Sequence, residues 1–443
     1  MSKIPPKIVF PNKPADEMIL AGYGEPTTAK PYPESKEGLV FDITEAEAIA
    51  DLKDSNLNTI VMTTQIYTPK DQHTHDLLQY ASDNNLSVFI RDEDVTTGKN
   101  VLVDRTEQEH YEYFRDTYAP LNEKYSAFSG FHFLDEPGYR DWPNYAPVQR
   151  AFRKAWPDKV FFLNLLQTYA PHWAFPNGPF YKPDEPNWLP PDPDVEKYYQ
   201  SYIDIVKPDF FSYDHYPIKN AYPEVEPDYF YQLHLSYKYA AQRNIPIFAF
   251  MQVGAWGDRC RIPTEDELRY QVNCAIAYNT KHIGYFSYRG TNSYAWAHQG
   301  MIDRHGNKTK QWYKIQKINK ELLFQDEYFL NAGFVGYIQT GVTPSGEKPH
   351  EDERIKKFGL LKDLPDGNLF IGCFEYERDG RVYNMYYVVN NDLVNEVHGN
   401  MTFKKPITYT QIHRTNKTVI KSNEAYLSLT PGDACIIIEG LND

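Results

Sequence analysis

Two acidic residues, Asp135 and Glu136, follow the apolar run F-H-F-L and precede Pro137. The run reads as a buried strand, and the proline holds the acids in a turn because it is excluded from helix interiors. Carboxylates at the mouth of a buried strand are costly to place unless something uses them. Paired carboxyl groups suit general acid–base chemistry, since burial and a neighbouring negative charge both raise a carboxyl pKa. Glu136 is the expected proton donor and Asp135 its orienting neighbour. A third acid, Asp214, lies in Y-D-H-Y-P between Tyr213 and His215. Structural duties would also fit these residues. D-E-P can start a helix, with acids at the positive end of its dipole, and Asp214-His215 can be a buried ion pair fixing a turn.

The elements that must position these groups alternate. Strand-like runs cover 18–24, 59–65, 87–92, 128–135, 160–167, 209–215, 245–253 and 282–288. Helical segments lie between them. Thr44-x-x-Glu47, Thr106-x-x-Glu109 and Thr264-x-x-Glu267 are each a capping box. After the third, Leu268, Val272, Ala275 and Ile276 share one face, as a helix covering a sheet requires. A last helix spans 310–324. Eight β-then-α units predict a (β/α)8 TIM barrel, whose chemistry sits at the C-terminal ends of the strands. A doubly wound sheet would want G-x-G-x-x-G after its first strand, and there is none. After about residue 334 no helical period recurs. Short runs at 370–376, 382–389, 407–414 and 434–439, separated by P-D-G, R-D-G and P-G-D turns, predict a small all-β sandwich. The chain thus divides into a catalytic barrel, 1–333, and a supporting β domain, 334–443. Long segments at 25–37 and 169–194 are expected to be walls or lids.

Polar residues end nearly every barrel strand: Tyr23 and Glu25, Gln65, Arg91 to Glu93, Asp135 and Glu136, Asn164 and Gln167, Tyr213 to Tyr216, Gln252, and Tyr288-Arg289. Such a convergent cleft best suits hydrolysis of a glycosidic bond, which needs a protonated carboxylic acid, a second acidic or nucleophilic group, and neither metal nor cofactor. Asp214 would be an inverting base at about 6.5–9.5 Å from Glu136, or a nucleophile at about 5–5.5 Å. Arg91, Asn164, Tyr213, His215, Tyr216, Gln252, Trp256, Tyr288, Arg289 and Trp296 are the candidate sugar contacts.

Composition narrows the alternatives. The 443 residues carry a formal charge of −14, which argues against nucleic acid or anionic membrane as partner. No run approaches a membrane span, and the N-terminal segment lacks the apolar core of a signal peptide. A soluble chain is expected, cytoplasmic or exported with its leader removed. Aromatic residues make up 15%; they either fill a large core or stack on sugar faces. Cys260, Cys274, Cys373 and Cys435 have no C-x-x-C spacing and read as buried thiols. His73-x-His75, His172 and His298 lack a carboxylate at metal-site spacing, so no metal is expected. His132, inside a strand, reads as a core histidine. There is no G-x-S-x-G elbow.

The chain resembles barrel glycoside hydrolases of the β-galactosidase type, on Asp135-Glu136, on R-I-P-T-E-D-E-L-R-Y at 261–270 and on I-G-Y-F-S-Y at 283–288. That resemblance implies an acid/base Glu after strand four, which Glu136 matches; the Asn usual before it is Asp135 here. It also implies a nucleophilic Glu ending strand seven, where this chain has Gln252. The Asp-Glu pair is similar to that of substrate-assisted hexosaminidases. That likeness implies that Asp135 orients the substrate's own 2-acetamido group as nucleophile, with Tyr213, Tyr216 or Tyr288 bonding its oxygen. The rival expectation is a catalytically inactive, carbohydrate-binding barrel that has lost the strand-seven nucleophile.

Overall fold

The computed structural model describes residues 4–8, 17–26, 43–63, 68–96, 102–178, 195–255, 259–290, 300–303, 305–346 and 349–442. Eight parallel strands close into a barrel: β1 (Leu20–Tyr23), β2 (Thr59–Val61), β3 (Ser87–Ile90), β4 (Phe128–Asp135), β5 (Val160–Leu165), β6 (Phe211–Asp214), β7 (Ile247–Gln252) and β8 (Thr280–Phe286). Around them run α1 (Glu45–Asp54), α2 (Gln72–Asp83), α3 (Glu107–Lys124), α4 (Trp142–Ala155), the short α5 (Ala174–Asn177) and α6 (Val195–Ser201), α7 (Tyr229–Arg243), α8 (Glu265–Ala277) and α9 (Lys310–Leu330). The three Thr-x-x-Glu sequences start α1, α3 and α8 as reciprocal capping boxes. Each satisfies two N-terminal donors that a helix cannot pair internally. Among the described residues no helix is long and apolar enough to cross a membrane.

Strand alternation sorts side chains into two layers. Ile19, Ala21, Tyr23, Phe89, Phe162, Phe248 and Phe250 fill the barrel interior. The opposite parity, including Phe131, Phe161, Phe211, Ala249 and Ile283, packs against the helices in the main core. The four cysteines are buried and free.

The C-terminal part is antiparallel: β9 (Ala332–Gln339), β10 (Leu361–Asp363), β11 (Leu369–Arg378), β12 (Arg381–Asn390), β13 (Val397–His413), β14 (Asn416–Leu429) and β15 (Ala434–Glu439). They form one sheet ordered β10-β13-β15-β12-β11-β9, with β14 beside β13. The period of two again makes two faces. Phe370, Phe374, Tyr387, Val389 and Ile436 join the barrel core, whereas Ile371, Cys373, Tyr386, Val388 and Ile437 meet Met401, Phe403, Ala425 and Leu427 from the long β13–β14 hairpin. β13 shifts register between Thr402 and Ile407, so the sheet wraps around this second cluster to give the all-β layer pair.

This sheet covers α8, which is why every residue from Glu267 to Ala277 is buried and not only its barrel-facing stripe. Gly372 permits the close approach, since a Cβ there would lie 2.3 Å from the Ala277 carbonyl oxygen. The Tyr387 hydroxyl donates to Asn273 Oδ1 at 2.7 Å, and Asn273 Nδ2 donates to the Gly432 carbonyl at 2.8 Å.

Candidate active site

The acidic pair reaches the cleft through an irregularity in β4. His132 pairs with Phe162, but Leu134 pairs with Leu163 and Asp135 with Asn164, so β4 holds one extra residue at Phe133. Phe133 and Leu134 both pack in the outer core, and the strand resumes with Asp135 on the inner face shared by His132. Bulges commonly re-aim side chains at functional sites. Without this one, Leu134 would point inward and Asp135 towards the helices. Glu136 then takes a left-handed backbone, φ +51°, which costs a non-glycine residue about 1–2 kcal/mol. Contacts around the turn offset the strain. The Glu136 amide donates to the Asn164 carbonyl at 2.9 Å, and the Tyr198 hydroxyl donates to the Pro137 carbonyl at 2.8 Å. Gly138 lies so close to α5 that a Cβ would sit 2.5 Å from the Asn177 amide nitrogen.

Asn164, the penultimate residue of β5, is the hub. The Ser212 hydroxyl donates to its Oδ1 at 3.0 Å, which fixes the amide orientation. Its Nδ2 donates to Asp214 Oδ1 at 3.0 Å and to Asp135 Oδ1 at 3.2 Å. One nitrogen thus bridges carboxylates from β4 and β6. The Tyr23 hydroxyl donates to the other oxygen of Asp135 at 2.7 Å. Tyr216 hydrogen-bonds Asp214 through its side chain, and its backbone amide donates to the Tyr169 hydroxyl at 3.2 Å. Phe286 stands between Tyr23 and Tyr216, with ring centroids 5.4 Å from each. Asp214 is buried, while Asp135 and Glu136 are partly open to the cleft.

These surroundings divide the acids by proton affinity. Burial pushes the Glu136 carboxyl well above its ordinary range, and the charges of Asp214 and Asp135 push it further. Burial, then the Asp135 charge, raises Asp214 to about 7 despite the stabilising hydrogen bonds from Tyr216 and Asn164. Burial and the Asp135 charge raise Tyr23, which therefore stays a donor. Below the acids, burial and the Arg91 charge hold His132 well below its ordinary value, so it is neutral. Its Nδ1 lies 2.6 Å from the Met62 carbonyl oxygen and must donate there. The arrangement can therefore offer a proton from Glu136 beside Asp135, whose side chain is held by two donors.

Of the sequence candidates, Asp135, Glu136, Asp214, Asn164 and Tyr216 come together. Arg91 is buried in the interior, its charge felt by Tyr23 and His132. Arg289 is half-buried beyond β8, with its backbone bridged to Ile302. Four expected sugar contacts lie elsewhere. Tyr213 has the opposite parity to Asp214 and packs with Phe211 in the outer core. Tyr288 likewise packs in that core, fully buried. His215 lies behind the cleft, its Nε2 3.0 Å from Asp228 Oδ1 and its ring 4.8 Å from that of Tyr169. Gln252 is fully buried: Oε1 accepts from the Ile218 amide at 2.9 Å, and Nε2 donates to the Arg261 and Ile218 carbonyls at 2.8 and 3.2 Å. Its amide ties the loops after β6 and β7 together, and its full burial keeps it from a sugar. Trp256, Trp296, Gln65 and most of segments 25–37 and 169–194 lie outside the described residues. Tyr23, Tyr169 and Phe286 were absent from the expected contacts. Tyr23 carried a signal, being at the end of β1 with the parity of Ile19 and Ala21.

Gln252→Leu is expected to leave buried groups of Ile218 and Arg261 unpaired and to cost roughly 2–4 kcal/mol. Denaturant unfolding measures this. Undiminished stability accompanied by lost sugar binding would return Gln252 to a contact role.

No protein-family description and no curated protein matches the sequence. Solved structures do match in fold. A β-galactosidase from Bacillus circulans sp. alkalophilus is similar with a TM-score of 0.59 and 8% identity, covering 97% of this chain and 99% of that one. A family 27 β-L-arabinopyranosidase from Geobacillus stearothermophilus has a TM-score of 0.51 and 9% identity, covering 97% and 98%. A family 39 glycoside hydrolase from Bacteroides cellulosilyticus WH2 has a TM-score of 0.50 and 10% identity, covering 98% and 82%.

Proposed function

We propose that this chain is a glycoside hydrolase that cleaves a glycosidic bond of an oligo- or polysaccharide, with Glu136 as general acid/base. The observation that carries the reading is the place of Glu136 at the end of β4, beside the Asn164-bridged pair Asp135 and Asp214, where burial and the two neighbouring acids favour its protonated form. Glu136 gives its proton to the leaving oxygen as the bond to the anomeric carbon breaks. Where a nucleophile, from Asp214 or the substrate, has first replaced the leaving group, the resulting Glu136 carboxylate then takes a proton from the water that completes hydrolysis. Where Asp214 acts as the base, Asp214 takes that proton as the water attacks and Glu136 is reprotonated from solvent. Catalysis of this kind needs a second group on the anomeric carbon. Either Asp214 supplies it, as base or nucleophile, or the substrate's 2-acetamido oxygen does, oriented by Asp135. The two donors to Asp135, Tyr23 and Asn164, hold its side chain in place and so suit the orienting role.

Carbohydrate is the partner this reading implies. Arg91, Tyr216 and Arg289, with Trp256 and Trp296, are the proposed sugar contacts. The division into a catalytic barrel, 1–333, and a supporting β domain, 334–443, belongs to the same proposal. The test is a panel of chromogenic glycosides and oligosaccharides, each sugar offered with and without a 2-acetamido group, with binding measured alongside. Turnover is expected for at least one sugar. Cleavage confined to N-acetyl substrates selects substrate assistance, and equal cleavage of both forms selects Asp214. Binding without turnover across the panel would overturn hydrolysis in favour of a carbohydrate-binding barrel, the reading that Gln252 favours by standing at the end of β7 where the nucleophile would be.

A further inference from the structure

At α7 the barrel meets the segment after β9 through two histidines and two acids. His234 is buried on α7, 1% exposed, and its ring lies face to face with that of His350, centroids 3.8 Å apart and planes 10° from parallel. His350 Nδ1 is 3.5 Å from Asp352 Oδ2. Behind them, Glu353 Oε2 lies 2.8 Å from His234 Nδ1 and accepts from the Tyr278 hydroxyl at 2.8 Å. One ligating atom from each of His234, His350 and Asp352 lies within 4.8 Å of the other two.

We propose that His234, His350 and Asp352 bind a divalent transition-metal ion of the zinc class, which ties the barrel to the C-terminal sheet. Two imidazoles and one carboxylate form a borderline donor set that suits zinc and its neighbours, not the all-oxygen cages of calcium or magnesium. Tetrahedral ligand bonds of about 2.0–2.2 Å put the ligating atoms about 3.4 Å apart, so separations of up to 4.8 Å must close by as much as about 1.4 Å. The cluster can do so from one side. His234 is fixed, whereas the His350 and Asp352 side chains are 41% and 65% exposed; His350 also accepts from the Asp352 amide at the start of the turn 351–353, a contact it gives up on binding. Coordination turns the His350 ring out of the stack so that its lone pair meets the ion. Glu353 is placed as a carboxylate that receives the Nδ1 proton of a metal-bound histidine, which leaves Nε2 as the ligating atom; Tyr278 holds that carboxylate in turn. Water completes the coordination from the exposed side.

This inference is independent of the glycosidase reading. Its test uses the full chain, stripped with a chelator and titrated with zinc by calorimetry, with melting temperature and the visible spectrum of the cobalt-loaded protein as further readouts. One ion per chain is expected, with a rise of several degrees in Tm at zinc well above Kd and cobalt bands of a four-coordinate nitrogen/oxygen site. His350→Ala should abolish the stoichiometric binding and the bands, and Asp352→Asn should weaken binding tenfold or more. His350→Gln provides a second variant at a half-exposed position, where folding is not at risk. No stoichiometric uptake by the parent protein, or uptake unchanged in both His350 variants, would overturn the proposal.

Discussion

Glu136→Gln is expected to lower turnover by a factor on the order of 10²–10⁴, the usual contribution of a positioned proton donor. Glutamine keeps the shape of the side chain and the left-handed backbone of the turn, so the substitution removes the proton and little else. The loss should therefore depend on the leaving group. A sugar or alkyl oxygen needs protonation as the bond breaks and should show the full effect. A nitrophenolate leaves without help, and its rate should fall tenfold or less at the first step. The pH profile provides a second readout. Burial and two neighbouring carboxylates hold the Glu136 proton to higher pH than an ordinary carboxyl, so the parent profile should decline on its alkaline side as that proton is lost. The variant should lack that limb. An equal loss on all leaving groups, with the alkaline limb intact, would assign Glu136 to substrate binding instead.

The barrel was legible because its signals are local. Alternating apolar runs specified the eight strands, β4 to the residue, and three capping boxes marked helix starts where they form. What the sequence conceals is direction. Nothing in F-H-F-L-D-E announces the extra residue at Phe133, yet that residue turns Asp135 into the cleft. Tyr213 shows the converse. Strict alternation from Asp214 sends it into the helix layer, although its neighbours in the sequence suggested a cleft residue. Gln252 has the parity of Phe248 and Phe250, which face the barrel interior. It is lost to the substrate only because two loops, distant in sequence, close over it. The same distance hides His234 and His350, which meet only once the sheet packs on the barrel. β14 escaped for another reason: as a sheet-edge strand with most of its residues exposed, it carries little apolar alternation to read.

Asp214→Asn is expected to affect activity and stability in opposite directions. If Asp214 acts on water or on the anomeric carbon, turnover should fall by about 10²–10⁴; a loss of tenfold or less would leave the substrate's acetamido group as the nucleophile. Stability should change in either case. The Asp214 carboxyl is raised from 3.8 to about 7 in the folded chain. Between those values the folded chain keeps a proton that the unfolded chain releases, so stability falls as pH rises through that window. The penalty is complete above about pH 7 and absent below about pH 4. Asparagine carries no charge to bury, still offers an oxygen to Asn164, and should stabilise the protein by about 1–4 kcal/mol at pH 8. Melting curves of the two proteins should therefore separate at pH 8 and converge near pH 4. The substitution also reaches Glu136, because the Asp214 charge is one cause of its raised pKa. Removing that charge lets Glu136 ionise at lower pH, so whatever activity survives should begin its alkaline decline at lower pH than the parent does. A variant that is less active but no more stable at pH 8 would mean that Asp214 is not held against its charge. The division of roles between the two acids would then have to be reassigned.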